Sequence, residues 1–524
     1  MHMERVNVMP HLDGIEVREY QRAIAKSALQ SNTLVVLPTG LGKTVVALLV
    51  AVERLGMFAD GKVLVLAPTR PLVLQHARFF KEHFVGDEVS SATLTGESSP
   101  ELRGALFHES RLVFATPEVI RNDVLENRYS LTDVCLVVFD EAHRCVKEYA
   151  YSEVAEAYKR EASNPLILGL TASPSARKDR VLEICGKLAI ENIEARNEAD
   201  MDVAGYVKPV FLSWERIPLP EGYRDVSQIL HGVLGEKVEK LRAMHLLPRN
   251  VTVTKRMLLD LGETLHGRLA KRRAGYLFGA MLLQSQAISL QHAIELVETQ
   301  GISSLTKYLS RLPLSKNRSS RALANDPRIV DALERSESLV EVEHPKQARL
   351  RELIAEQLDA NPDSKLIVFT QFRDTVETIV QNLSQVGRVS AVRFVGQATR
   401  DPEDAGLKQS EQVKILEEFR SGHYNVLVTT SIGEEGLHVP DVDHVIFYEA
   451  VPSEIRSIQR RGRTGRTSVG KVTVLMAEDT VDEAYYYSSR RKEQKMHHLL
   501  ETVKRRGLKS PRKRKTTLLD YIEP

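Results

Sequence analysis

The chain has 524 residues, and its 72 Lys and Arg against 70 Asp and Glu give a formal net charge of +2. This length corresponds to about three or four domains of ordinary size, and a hydrophobic content of 42% is enough to build their cores. The composition excludes fibrous and wholly disordered classes, and neither a membrane span nor a secretory signal is visible. Cys135, Cys145 and Cys185 are too few for a disulfide framework and lack zinc-ligand spacing, which predicts a reducing, cytoplasmic location.

The first part of the chain, residues 15–205, alternates between short apolar strands and helical segments such as KTVVALLVAVERL (43–55). Continuous apolar strands separated by helices are typical of a parallel sheet that is covered on both faces. The predicted strands are TLVVL (33–37), KVLVLAP (62–68), RLVFAT (111–116), CLVVFD (135–140) and LILGLT (166–171).

The same alternation returns in a second unit at residues 365–476. Between the two units, residues 206–345 have few β-type runs after FLSWERIPL and many helical ones, which predicts a helical inserted domain. Positive charge is concentrated there, since 240–273 carry nine Lys or Arg against two acids and 303–328 carry six against one. We therefore expect an α/β protein with domains at 1–205, 206–345 and 346–480, followed by a C-terminal helix and basic tail at 481–524.

Residues 33–44, TLVVLPTGLGKT, have the pattern of a strand, a glycine-containing loop and the start of a helix. In such a P-loop, backbone N–H groups bind phosphates, the Lys43 ammonium reaches the β and γ oxygens, and the Thr44 hydroxyl binds Mg²⁺. The strict pattern has Gly where this chain has Leu37, so the match is to a shorter variant. The predicted ATP-binding residues of the loop are Pro38, Thr39, Gly40, Leu41, Gly42, Lys43 and Thr44.

The segment CLVVFDEAHR ends an apolar strand with Asp140, Glu141, Ala142 and His143, at the sheet edge where ligands of open α/β folds bind. Asp140 is suited to hold Mg²⁺ together with Thr44, and Glu141 to orient and deprotonate the attacking water. His143 is predicted to transmit the nucleotide state to neighbouring elements. A charged helix start is the alternative, and the upstream P-loop favours catalysis.

The segment QRRGRTGR (459–466) places four arginines within eight residues of the second unit. On a helical turn Arg463 and Arg466 can point to one side. ATP hydrolysis needs cations that neutralise charge on the transferring γ-phosphoryl group, so we predict that Arg463 and Arg466 act across a cleft. Gln459 of the same motif is also predicted to be catalytic. The alternative is a solvated basic face or a contact to a nucleic-acid backbone.

These motifs resemble those of superfamily 2 helicases, and further segments agree with them in order and spacing. They are APTRPL (67–72), TG (95–96), ATPE (115–118), TASP (171–174), VFTQFRDT (368–375) and TTSIGEEGLHVP (429–440). REYQ (18–21) resembles the segment that reads adenine in that superfamily, which implies ATP contacts from Arg18 and Gln21.

Within the superfamily the chain resembles the archaeal Hef helicases and the FANCM-type branched-DNA translocases. This resemblance implies two RecA-like parallel-sheet domains with an all-helical domain inserted between them, which helps to engage forked DNA. RNA-sensing relatives and the Dicer helicase share the position of the insert, so an RNA-activated ATPase stays open, as do a protein-displacing translocase and a DNA-binding scaffold. Hef continues into a nuclease domain, whereas no nuclease-type acid cluster follows residue 480, and no cleavage is predicted.

The resemblance further implies an ATP- and Mg²⁺-dependent helicase of forked or branched DNA, with 3′→5′ polarity and a nucleoid-associated location. One strand would cross both α/β domains through small polar residues, which suit sequence-independent phosphate contacts; capping and turn chemistry is the ordinary alternative for each. The predicted contacts are Thr69, Arg70, Thr95, Gly96, Thr116, Pro117, Thr370, Gln371, Gly396, Gln397 and Thr430, with Lys271, Arg272 and Arg273 of the insert gripping a duplex arm.

The tail, residues 504–524, is rich in Lys and Arg and ends in TTLLDYIEP. A disordered basic tail with nonspecific attraction to DNA is the ordinary interpretation. Its ending nevertheless resembles the peptide by which repair proteins bind a sliding clamp, with Leu518, Tyr521 and Ile522 at the three apolar positions. Lys515 stands where that pattern has Gln. A sliding clamp is therefore the second predicted partner.

Overall fold

Apart from one two-stranded antiparallel pair, the strands that the computed structural model describes form two parallel sheets, which confirms the predicted pair of α/β domains with a helical bundle between them. The structure describes residues 11–85, 89–146, 149–207, 210–271, 274–397, 406–430, 442–450 and 470–506. None of the helices in these ranges combines the length and the apolarity that crossing a bilayer requires.

The first α/β domain alternates strands and helices along the chain. Its strands are β1 (His11–Leu12), β2 (Thr33–Val36), β3 (Lys62–Leu66), β4 (Phe84–Val85), β5 (Ser91–Leu94), β6 (Leu112–Ala115), β7 (Val134–Phe139), β8 (Ile167–Thr171) and β9 (Asn192–Ala195). Its helices are α1 (Glu19–Ala28), α2 (Lys43–Met57), α3 (Arg70–His83), α4 (Pro100–Glu109), α5 (Pro117–Leu125), α6 (Ala150–Glu161) and α7 (Lys178–Lys187). Seven strands form a parallel sheet in the order β5-β6-β3-β7-β8-β2-β9, and β1 pairs separately with β4.

The central strands of this sheet are buried on both faces, and every residue of β2, β6, β7 and β8 is buried. Along β2 and the residue after it, Leu34 and Val36 pack into the core on one face, while Val35 and Leu37 pack into the core on the other. Successive side chains of a strand point to opposite faces, so two covered faces require a continuous apolar run.

The second α/β domain contains a six-stranded parallel sheet in the order β10-β15-β14-β11-β13-β12. Its elements are β10 (Val210–Ile217), α14 (Pro345–Ala360), β11 (Leu366–Phe369), α15 (Arg373–Leu383), β12 (Ala391–Phe394), α16 (Gln409–Ser421), β13 (Val426–Thr429), β14 (His444–Phe447) and β15 (Gly470–Ala477). Strand β10 pairs with β15 from Val210 opposite Gly470 to Ile217 opposite Ala477. The chain therefore enters the second sheet before it forms the helical insert.

The helical insert consists of α8 (Glu221–Ala243), α9 (Lys255–Lys271), α10 (Gly275–Glu295), a π-helical turn (Leu296–Gln300), α11 (Ile302–Arg311), α12 (Arg318–Ala324) and α13 (Pro327–Ser338). The π-helical turn is buried against the second α/β domain, where the Thr375 hydroxyl donates a hydrogen bond to Gln300 Oε1 (2.6 Å). Glu298 of the same turn accepts hydrogen bonds from the Ser227 hydroxyl (2.6 Å) and from the Val481 backbone N–H (2.9 Å). The Thr375 contact holds the insert on the second α/β domain, and the Val481 contact joins it to the start of the C-terminal helix. The Ser227 contact lies within the insert.

The C-terminal helix α17 (Val481–Arg506) contacts both α/β domains. Near its start, Tyr485 and Tyr486 pack against the core of the second α/β domain. Further along, Met496 and Leu500 are buried in the core of the first. One helix thus contacts the cores of both α/β domains.

Candidate active site and nucleic-acid face

Three loops with predicted chemistry follow β2, β8 and β7, which are adjacent in the first sheet. The P-loop follows β2, the DEAH segment follows β7, and Ala172 and Ser173 follow β8. In a parallel sheet the carboxyl ends of neighbouring strands meet at one edge, where ligands of open α/β sheets bind. The structure thus brings the predicted nucleotide-binding and hydrolytic residues to one edge.

The P-loop backbone has the conformation that a phosphate cradle needs. Gly40 and Gly42 have φ values of +86° and +76°, in the left-handed region that favours glycine. Helix α2 begins immediately afterwards at Lys43, whose ammonium donates a hydrogen bond to the Leu37 carbonyl (3.1 Å). A Cβ on Gly42 would lie 2.4 Å from Gln21 Nε2, so a larger residue would displace that amide. These glycines and the helix N-terminus fit the phosphates of a nucleotide.

The adenine-reading segment supports the P-loop from α1. The Tyr20 hydroxyl and Gln21 Nε2 both donate to the Leu41 carbonyl, at 2.8 and 3.2 Å. Gln21 Oε1 accepts from the Arg18 backbone N–H (2.9 Å), so this amide is bonded at both ends. The Arg18 guanidinium stacks on the ring of Tyr206, 4.9 Å from its centroid. Tyr206 lies just before β10, and no sequence motif pointed to it.

Asp140 is held at the end of β7 by contacts to its backbone and to its side chain. The Tyr151 hydroxyl donates to the Asp140 carbonyl (2.6 Å), and His76 Nε2 lies 2.8 Å from Asp140 Oδ2. Burial alone raises the pKa of the Asp140 carboxyl, but His76 and the Lys43 ammonium outweigh it and hold this pKa below its ordinary value. An ionised carboxylate near the P-loop Lys43 fits Mg²⁺, which takes few protein ligands besides phosphate and water.

Glu141 and His143, which follow Asp140, connect the end of β7 to the neighbouring strand β8. Glu141 has φ +49°, an uncommon value for a residue other than Gly. His143 Nδ1 lies 3.2 Å from Glu141 Oε2 and 3.1 Å from the Thr171 hydroxyl. The Thr171 hydroxyl also accepts from the Ser173 backbone N–H (3.2 Å). His143 is therefore in contact with β8, the neighbouring strand, through Thr171. Gln459, Arg463 and Arg466 lie outside the described residues.

The predicted nucleic-acid contacts of the first α/β domain all follow strands in the other half of its sheet. Thr69 follows β3, Thr95 and Gly96 follow β5, and Thr116 caps α5 after β6. Thr95 is buried, whereas Gly96 is exposed. Pro117 is buried at the start of α5. Arg70 forms an ion pair with Glu97 and reaches Gln409 Oε1 of the second α/β domain (3.4 Å).

Contacts predicted in the second α/β domain likewise follow the adjacent strands β11, β12 and β13. Thr370 is fully buried and Thr430 is 5% exposed, so neither hydroxyl lies open at the surface. The Thr370 backbone N–H is also engaged, since it donates to the Thr429 carbonyl (3.0 Å). The Gln371 backbone N–H donates to Glu449, and the Gly396 carbonyl accepts from Arg373. Gln397 is exposed.

In the helical insert, Lys271 is exposed at the end of α9, while Arg272 and Arg273 lie outside the described residues. Several other basic residues of the insert are engaged, including Lys255 with Glu295 (3.0 Å) and Arg242 with the carbonyls of Pro248 and Val251. A second set is exposed and has no ion-pair partner in the part of the chain that the structure describes. These residues, which we call the α11–α12 basic set, are Lys307, Arg311, Lys316, Arg318 and Arg321.

Three family models match successive parts of the chain. They are "DEAD/DEAH box helicase" over residues 18–181, "Putative ATP-dependent RNA helicase, helical bundle" over 222–342, and "Helicase conserved C-terminal domain" over 345–468. These matches correspond to the first α/β domain, the helical insert and the second α/β domain. The fold and the site thus define an ATP-dependent helicase of superfamily 2.

The chain belongs to the Hef/FANCM-type helicases of this superfamily, which confirms the resemblance read from its motifs. The crystal structure of the Pyrococcus furiosus Hef helicase domain is 46% identical, with a TM-score of 0.68 over 90% of this chain and 98% of that one. A Methanocaldococcus jannaschii protein whose name contains the words ATP-dependent RNA helicase is 40% identical over 93% of this chain. A Neurospora crassa ATP-dependent DNA helicase is 32% identical over 89%. The chain spans 61% and 42% of the length of these two relatives.

Proposed function

We propose that the protein is a DNA-stimulated helicase that acts on forked or branched DNA in replication-fork repair and moves 3′→5′ along one strand. The observation that carries this proposal is the α11–α12 basic set, an exposed cationic surface of the insert. It supplements the strand-end loops of the two α/β domains as a place where nucleic acid can bind. Phosphate attraction of this kind is independent of base sequence, as expected for a translocating enzyme.

The strand-end loops provide the path for one nucleic-acid strand. Loops after β3, β5 and β6 of the first sheet and after β11, β12 and β13 of the second come from neighbouring strands. Exposed Gly96 and Gln397, together with Arg70 between the two domains, are the groups that we assign to backbone contacts. Backbone N–H groups and short side chains position a strand without reading its bases.

The insert provides a separate surface for the duplex arm. Besides the α11–α12 basic set, it exposes Tyr276 and Phe278 by 62% and 57% at the start of α10, close along the chain to Lys271. Aromatic rings next to cationic side chains are suited to stack on unpaired bases. We assign these residues, with Arg272 and Arg273, to the junction between the duplex and the single strand.

For the chemical step, we assign a role to each residue of the site, and the roles of Gln459, Arg463 and Arg466 rest on their motif. Lys43 and the P-loop backbone bind the phosphates, and Glu141 orients the attacking water. Mg²⁺ held by Thr44 and Asp140 would neutralise charge on the β and γ phosphates. Arg463 and Arg466 stabilise the transferring phosphoryl group from the second α/β domain, and Gln459 assists them. His143 transmits the change to Thr171.

The second candidate is an RNA-activated ATPase. It is favoured by the name of the Methanocaldococcus jannaschii relative and by the description of the helical-bundle family. Phosphate contacts alone do not separate the two candidates, because the 2′-hydroxyl is what distinguishes RNA. The Neurospora crassa relative is named as a DNA helicase, which favours the first candidate.

The deciding experiment compares ATPase stimulation by forked DNA, single-stranded DNA and duplex RNA of equal length. We expect forked DNA to stimulate most, and Lys43→Ala to abolish turnover on every ligand because the phosphates lose their cation. Strand displacement with a flap on either the 3′ or the 5′ side tests the polarity. Greater stimulation by duplex RNA than by any DNA would reject the DNA assignment.

A charge variant tests the role of the insert. Replacing Lys307, Arg311, Arg318 and Arg321 with Gln should weaken fork binding and make its salt dependence shallower, by about one unit of slope per lost phosphate contact. The matched control replaces four exposed basic residues of the α/β domains, Lys81, Lys159, Arg160 and Arg388, with Gln. Equal effects of the two sets would mean that only net charge matters and would contradict a fork-binding insert.

A further inference from the structure

His76 contacts the side chain of Asp140 from helix α3, which starts on the nucleic-acid face. Its Nε2 lies 2.8 Å from Asp140 Oδ2, and both side chains are buried, at 6% and 9% exposure. Nothing in the motif pattern of the sequence pointed to this residue. We propose that His76 is a positioning residue that sets the orientation of the Asp140 carboxylate and couples it to nucleic-acid engagement at the start of α3; the coupling rests on the proposed function.

The direction of the hydrogen bond follows from the chemistry of the pair. An ionised carboxylate only accepts hydrogen bonds, so His76 must donate through Nε2–H. The Asp140 backbone is already fixed, because its N–H donates to the Leu66 carbonyl (2.9 Å) and its carbonyl accepts from Tyr151. What the backbone leaves free is rotation of the carboxylate, and His76 restrains that rotation. Partners of this kind orient the ligands of a metal ion.

Helix α3 links this contact to the proposed nucleic-acid face. It begins at Arg70, whose guanidinium pairs with Glu97 and approaches Gln409 of the second α/β domain. His76 follows six residues later, about 9 Å along the helix axis. Val73 and Phe80 on either side of it are buried in the core, so the helix moves as one element. A shift of Arg70 would therefore move His76 and change the orientation of the Asp140 carboxylate.

Two substitutions separate the hydrogen bond from packing. His76→Gln keeps an N–H donor of similar reach, whereas His76→Leu removes the donor and retains an apolar side chain. Gln75→Leu, one residue earlier and exposed, is the control for changes to the helix itself. Should His76→Leu not fold, His76→Asn, whose amide is too short to reach Asp140, replaces it. Thermal unfolding establishes which variants are folded.

Two readouts are measured in the full chain. The first is the affinity of a fluorescent, non-hydrolysed ATP analogue with Mg²⁺ and with EDTA. The second is the ratio of ATPase turnover at saturating forked DNA to turnover without DNA, with DNA affinity measured alongside. For His76→Leu we expect the Mg²⁺-dependent gain in analogue affinity to fall by about tenfold or more. The stimulation ratio should also fall several-fold, with DNA affinity unchanged within about twofold. His76→Gln and Gln75→Leu should stay close to the parent protein.

The proposal is overturned if His76→Leu keeps both the Mg²⁺-dependent gain and the stimulation ratio. It is equally overturned if His76→Gln loses as much as His76→Leu, since packing rather than the hydrogen bond would then matter. If His76→Leu keeps the Mg²⁺-dependent gain in analogue affinity but has a reduced stimulation ratio, His76 does not act through Asp140. That result would also overturn the proposal. If the parent protein is stimulated by no nucleic acid, the proposed function fails, while the Mg²⁺ readout still decides whether His76 orients Asp140.

Discussion

Lys346 and Asp482 form an ion pair in which neither side chain has any exposure to solvent. Lys346 lies at the start of α14 and Asp482 at the start of α17. The Asp482 carboxylate also accepts hydrogen bonds from the backbone N–H groups of Ala450 (3.3 Å) and Ala477 (3.2 Å). Burial raises the pKa of the Asp482 carboxyl, and Lys346 opposes that rise. The pair joins two helices to the end of β15 and to the segment after β14 in the second α/β domain.

Replacing Lys346 with Met should destabilise the second α/β domain by about 3–5 kcal/mol, because the change leaves a buried carboxylate without its cation. Chemical denaturation of the full chain, followed by tryptophan fluorescence, measures this loss through Trp214 in the neighbouring β10. Lys414→Met, which removes a pair with Glu418 across 3.8 Å on an exposed helix face, is the control and should cost less than about 0.5 kcal/mol. A similar loss for both variants would contradict the assigned role of the buried pair.

Replacing Arg466 with Ala should slow ATP hydrolysis by up to about 10³-fold, since an arginine that meets the γ-phosphoryl group acts mainly in the transition state. ATP affinity should change much less. Single-turnover hydrolysis and equilibrium binding of the ATP analogue measure the two effects separately. Loss of affinity without a slower chemical step would instead make Arg466 a ground-state contact.

Stability should fall as the pH drops below about 6.5, where unfolded histidines take up protons. Burial, reinforced by Lys346 for His344 and by Lys471 for His444, lowers the pKa of both histidines to about 3. The folded state therefore binds fewer protons than the unfolded state between about pH 3 and 6.5, and each histidine removes up to about 1.4 kcal/mol per pH unit on acidification.

Urea denaturation at several pH values between 5 and 7.5 tests this dependence. His444→Gln should reduce the slope of unfolding free energy against pH by the contribution of one histidine, because the Gln side chain does not titrate. The exposed His498→Gln serves as the control and should leave the slope as it is. An equally steep slope in His444→Gln would show that other groups cause the acid sensitivity.

The tail outside the described residues has its own test. We expect a peptide of residues 508–524 to bind the sliding clamp from the same source, with Leu518, Tyr521 and Ile522 entering an apolar pocket. Binding should disappear when Leu518 and Tyr521 are both replaced with Ala, as calorimetric titration would show. A peptide in which Lys513 and Arg514 are replaced with Gln separates this mode from charge attraction. Tethering raises the local concentration at forks and leaves the motor unchanged. Binding that survives the double Ala replacement would exclude the clamp interpretation.

Much of the nucleotide site can be predicted from the sequence because it depends on the identity of residues that are close together along the chain. The P-loop needs glycine at positions 40 and 42, where φ is positive, and a Cβ on Gly42 would also meet Gln21. The strands of both sheets are visible as apolar runs because parallel strands are covered on both faces. The acidic residues after β7 are also recognisable in the sequence, because they directly follow a strand that is apolar and fully buried.

Pairings between distant segments depend on the tertiary structure. Strand β10 lies in the segment predicted as the insert, yet it joins the second sheet by pairing with β15, and its residues alone do not encode which edge it takes. The contact of His76 with Asp140 likewise requires α3 to pack beside β7. Local sequence sets propensity and burial period, whereas the choice among partners far along the chain is made by the packing of the whole core.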